Sequence, residues 1–78
     1  MWYTYLVRFR FTHHAEYRMF LERNISADAV KKVIQMPDAV ISLPNGAMKC
    51  SKKIEKGVLV VVYSRSRDIY IIITAYFK

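Results

Sequence analysis

A single cysteine, Cys50, occurs in the chain, which excludes an internal disulfide framework and a multi-cysteine zinc module. Small secreted domains usually rely on such staples, so a reducing, cytoplasmic setting is expected. Glycine and proline occur twice each in 78 residues, which excludes collagen-like and low-complexity chains. Acidic residues are scarce: Asp+Glu number 6 against 13 Lys+Arg, a formal charge of +7 with neutral histidines. That imbalance points to a polyanionic partner (RNA, DNA or an acidic protein segment), although a surplus serving only solubility has the same composition. The longest unbroken apolar stretch, Val58–Tyr63, falls far short of the roughly 20 residues of a spanning helix, so no membrane segment is expected. Met1–Phe11 carries its arginines after the apolar residues, the reverse of a signal peptide.

What is present is apolar and aromatic: 54% and 14% of residues, with 24% charged, which excludes disorder. A chain of 78 residues allows one domain, spanning 1–78, with a small core.

Tyr3, Tyr5, Val7, Phe9 and Phe11 alternate with Trp2, Thr4, Leu6, Arg8 and Arg10, the period of a strand with the arginines on its wetter face. Thr12 is an N-cap for a helix from His13 to Arg23, with Asn24 suited to a left-handed end. Ser26 caps a second helix, Asp28 sits in its first turn, Val30, Val33 and Ile34 form its apolar stripe, and Pro37 stops it. The remainder reads as strands: Ala39–Leu43, Ala47–Ile54, Val58–Tyr63 and Ile69–Phe77. They are punctuated by Pro44-Asn45-Gly46, Glu55-Lys56-Gly57 and Ser64–Asp68. Within Ala47–Ile54, Lys49, Ser51 and Lys53 share one face, and Lys52 breaks the pattern, which places that end at a sheet margin. The order is β-αα-ββββ, an α+β domain with a helical hairpin packed on an antiparallel sheet, Val58–Tyr63 being central.

On an α-helix His14, Arg18 and Glu22 share a face. Histidine exchanges protons near neutral pH and arginine grips phosphate with a forked pair of hydrogen bonds, a combination suited to phosphodiester chemistry. An ordinary Arg18–Glu22 ion pair on a solvated face has the same spacing. His13 and His14 point about 100° apart and no further ligands complete a site, so no metal is expected. Lys49, Lys53 and Lys56, with Arg65 and Arg67 in the last hairpin, can form one basic surface on a meander, suited to a nucleic-acid backbone. Tyr63, Tyr70 and Tyr76 could stack on bases there, or simply pack.

The run Thr12–Ser26 and the ending Ile73-Thr74-Ala75-Tyr76 resemble a family of small domains. Its helix opens His-Ala-x-x-Arg-Met-x-x-Arg-x-Ile-Ser and its last strand ends Val-Thr-x-Tyr. The matching positions are His14, Ala15, Arg18, Met19, Arg23, Ile25 and Ser26, with Asn24 where Gly is usual, and the likeness runs from about Phe11 to Tyr76. That family is similar to the RelE/ParE superfamily of type II toxins, including the BrnT-like ribonucleases.

The resemblance implies a toxin-like, metal-independent endoribonuclease of the mRNA-interferase type, half of a toxin–antitoxin pair, acting on free or ribosome-bound message without a cofactor. The ribose 2′-OH would attack the adjacent phosphate. His14 would then do acid/base work, Arg18 and Arg23 would neutralise the phosphate, and Tyr76 or Tyr63 would orient the nucleotide. ParE-like relatives act on gyrase instead. The alternative is a non-catalytic RNA- or protein-binding module of the same fold, with Arg18 clasping carbonyls of the sheet. A toxin needs an antitoxin protein, expected as an acidic segment on an exposed edge at Ala39–Leu43 or Tyr3–Phe11. The competing outcome is a homodimer through Trp2, Tyr3 and Tyr5.

Overall fold

The computed structural model describes residues 8–78, and the expectations resting on Trp2, Tyr3 and Tyr5 lie outside them. Strand β1 (Arg8–Phe11) leads into a helix that starts as α1 (His13–Glu16) and continues as a π-helical segment, Tyr17–Glu22. After it come α2 (Ala27–Gln35) and four strands, β2 (Ala39–Ser42), β3 (Met48–Ile54), β4 (Gly57–Ser66) and β5 (Ile69–Phe77). The strands form one mixed sheet in the order β1-β5-β4-β3-β2. From β2 to β5 the sheet is the expected antiparallel meander, with β4 at its centre. The sheet is nevertheless mixed rather than wholly antiparallel, because β1 adds to this meander by pairing parallel to β5, Phe9 opposite Tyr70 and Phe11 opposite Ile72. The helices carry the chain across the sheet from β1 at one edge to β2 at the other, so β1 meets the last strand rather than the next.

Both helix caps form as the hydroxyl residues dictate. Thr12 Oγ1 accepts the Ala15 N–H at 3.0 Å and Ser26 Oγ accepts the Ala29 N–H at 3.1 Å. The apolar stripe Val30, Val33 and Ile34 is buried, and with Ala15, Met19 and Ile25 it packs on Cys50, Leu59, Val61, Tyr63, Ile72 and Ala75. Both helices therefore cover the same sheet face. Gly46, at φ +87°, closes the turn after Pro44, a conformation that suits glycine.

Two irregularities set which residues face which side. A bulge lies where Val62 pairs with Thr74 but Tyr63 pairs with Ile72, leaving Ile73 over. It reverses the alternation along β5, so that Tyr70 and Ile72 join Ala75 and Phe77 against the helices. The apolar run of β5 hides this switch.

The second irregularity is the π-helical segment, where an α-helix to Arg23 is expected. The Arg23 N–H donates to the Arg18 carbonyl at 2.9 Å, an i→i+5 bond, and the Ile25 N–H donates to the Met19 carbonyl at 2.7 Å. Three residues, Phe20, Leu21 and Glu22, lie between Met19 and Arg23 in this segment. The wider π turn takes up one extra residue without ejecting a loop. Asn24 then takes the left-handed conformation at φ 54°, where the pattern has Gly. The shared face of His14, Arg18 and Glu22 presumed α-helical pitch, and that pitch ends at Glu16.

Candidate nucleic-acid interface

Because β3 buries Cys50 and packs Met48 and Ile54 on the helical side, its alternation sends Lys49, Ser51 and Lys53 to the other face. Among the described residues no helix covers that face. Tyr76 lies on it as well, since it pairs with Val60, which in turn pairs with Ser51. Lys49 and Lys53 thus flank the row Tyr76–Val60–Ser51, about 13 Å apart along the strand. Arg10, exposed and alternating with Phe9 and Phe11, stands on the same face at the β1 edge.

The other expected RNA contacts separate. Lys56 is in the β3–β4 turn, while Arg65 and Arg67 are at the far end of β4, about 30 Å away. Arg65 is engaged there: its guanidinium lies 5.4 Å from the Tyr70 ring centroid and its Nε donates to the Arg67 carbonyl at 2.9 Å. Tyr63 lies on the covered face, 9% exposed and 5.3 Å from Tyr70, so its ring offers no stacking surface. Burial first, and then the neighbouring Cys50 and Tyr70, push the Tyr63 hydroxyl pKa up, against a smaller opposing pull from Arg65. Burial likewise pushes the Cys50 thiol up to about 11, which keeps it protonated and inert at neutral pH.

The residues expected to do chemistry do not form one centre. His14 is exposed and lines a shallow hollow with His13, Glu16, Tyr17, Phe20 and Leu21. Arg18 is half-buried on the next turn. Arg23 reaches inward, its guanidinium Nη1 donating to the Ala75 carbonyl of β5 at 2.9 Å. Arg23 thus makes a clasp to the sheet of the kind expected of Arg18. Tyr76 is on the opposite face of the sheet from the helices.

A family model for a domain of unknown function, DUF4258, matches residues 11–77, nearly the whole chain. The chain belongs to this family. No curated protein and no solved structure matches it significantly. The DUF4258 match runs from the end of β1 to the end of β5, so both helices, the meander and every site residue named above except Arg10 fall within it.

Two lysines of this DUF4258 domain were not picked out as site residues by the sequence. Lys32 of α2 and Lys52 of β3 join Lys53 and Lys56 around a cleft between α2 and the β3–β4 hairpin. The one signal was the broken alternation at Lys52. Its ammonium lies 3.5 Å from the Asp38 carboxylate, which also accepts the Lys53 N–H at 2.9 Å. That backbone hydrogen bond lowers the Asp38 pKa, against an opposing effect of desolvation and with help from the charge of Lys52. Among the described residues no cluster of His, Cys, Asp and Glu could hold a metal ion, and no helix is long and apolar enough to cross a membrane.

Proposed function

We propose that this protein binds single-stranded RNA by its phosphate backbone, along the sheet face that bears Lys49, Lys53 and Tyr76. The observation that carries the reading is their arrangement on one face that no helix among the described residues covers. Lysines spaced along a strand neutralise separate phosphates, and a tyrosine between strands gives a base a surface to stack on. The +7 charge steers RNA toward the surface. Fluorescence anisotropy with a labelled single-stranded RNA tests this. Tyr76→Ala should weaken binding by about 1–3 kcal/mol, the typical worth of one stacked base. Absence of binding at low ionic strength would contradict the reading.

A second reading is metal-independent RNA cleavage in the manner of the RelE/ParE toxins. Exposed His14, with Arg18 on the next turn, supports it along with the resemblance. The helix would then supply the acid/base and phosphate-binding groups, and a protein antitoxin would hold the activity in check. The exposed β2 edge suits an acidic segment of such a partner. Cleavage with excess chelator, leaving cyclic or 3′-phosphate ends and lost in a folded Arg18→Ala variant, would establish it. Failure to cut either free or ribosome-bound message leaves the binding reading alone.

A further inference from the structure

The cleft between the start of α2 and the β3–β4 hairpin has a volume of about 680 Å³. Pockets that take small molecules run from roughly 300 to 1,000 Å³. Its apolar lining is Ile25, Ile54 and Phe77, and its charged lining is Lys32, Lys52, Lys53 and Lys56 against the single carboxylate of Glu55. The lysines come from α2, from β3 and from the turn after β3, so the fold rather than a local run of basic residues gathers them. Like charges drawn to one opening repel, and an anion between them removes that cost. Asp38 meets part of the need by taking Lys52. Among the described residues no carboxylate pairs with Lys32 or Lys56. The amino end of α2, with Ser26 and Ala29 in the cleft lining, adds partial charge of the same sign.

We infer that this cleft binds a phosphorylated nucleotide, its phosphate among Lys32, Lys52 and Lys56 and its base or sugar against Ile25 and Phe77. The phosphate belongs either to the end of an RNA strand or to a free nucleotide. The site adjoins the row centred on Tyr76, with Lys53 at the boundary, and occupancy by a free nucleotide does not require that row to bind RNA.

Calorimetry on the full chain tests the inference with AMP, adenosine, and two short RNAs differing only in a 5′-phosphate. Phosphate should strengthen binding by about tenfold in at least one pair, consistent with a charge-assisted hydrogen bond. Lys32→Gln with Lys56→Gln should abolish that gain with thermal unfolding unchanged, whereas Lys31→Gln, on α2 but outside the cleft, should retain it. A gain confined to the RNA pair assigns the site to a strand end, and a gain with AMP assigns it to a free nucleotide. No phosphate gain in either pair, or a gain that survives in the Lys32/Lys56 variant, overturns the inference. RNA bound without phosphate preference refutes the cleft alone, and AMP bound without RNA refutes the sheet-face reading alone.

Discussion

Arg23 shows how a residue can be legible in type while its role stays open in the sequence. Its place in the helix pattern marked it for phosphate, yet its guanidinium holds the Ala75 carbonyl at 2.9 Å and ties the π-helical segment to β5. Nothing in the sequence separates an arginine that clasps from one that binds substrate, because both need the same donors. Arg23→Ala should therefore destabilise the fold by about 1–3 kcal/mol, the cost of leaving a partly buried partner unpaired, as read by urea denaturation. Unchanged stability would return Arg23 to the list of binding residues. Cys50 is the opposite case, legible as an inert buried thiol from its mid-strand position. With its pKa raised from 9.0 to about 11, the native state holds the thiol proton more tightly than the unfolded chain does. Its contribution is complete below about pH 9 and is lost as pH rises toward 11. Tyr63 acts in the same direction. Stability should fall on the alkaline side, and Cys50→Ala should flatten part of that fall in denaturation curves taken from pH 7 to 11. An equal fall in the variant would show that the thiol is not its source.

At the level of elements, caps and turns follow from single residues: Thr12, Ser26, Gly46 and the two-residue turn before Gly57 stand as their chemistry requires. Tertiary pairing overrides local preference elsewhere. Ser64, Arg65 and Ser66 read as a loop but continue β4, because Ile71, Tyr70 and Ile69 pair with them and only Arg67 and Asp68 turn. The π-helical segment was not legible in the sequence, where His13 to Arg23 reads as one α-helix. Removing the exposed Leu21 should return that stretch to α-helical pitch while preserving the Arg23–Ala75 hydrogen bond. The shortened chain should fold, with a Tm at least equal to that of the parent. A gain of about 1 kcal/mol from relieved geometry would appear as roughly 4–8 °C. A chain that fails to fold would show that the π turn is required rather than tolerated.

Among the described residues, the crossover from β1 to β2 and the meander back leave one sheet face under the helices and one without them. The sequence showed the alternation in β3 that places Lys49 and Lys53 together. It could not show that the bulge near Ile73 turns Tyr70 inward while Tyr76 stays outward, nor that Arg65 and Arg67 end far from Lys56. Those facts arise from register, which an unbroken apolar strand does not specify. The basic charge is thus split between the open face, the lysine cleft and the last hairpin. The most direct test of the proposed RNA interface is the salt dependence of RNA affinity, compared between the parent and a Lys49→Glu/Lys53→Glu variant. Contacts from Lys49, Lys53 and Arg10 predict a log–log slope of about −2, from about −0.7 per phosphate, and a shallower slope with weaker binding in the variant across all sequences. Affinity that ignores salt, or a variant that binds as the parent does, would contradict the account.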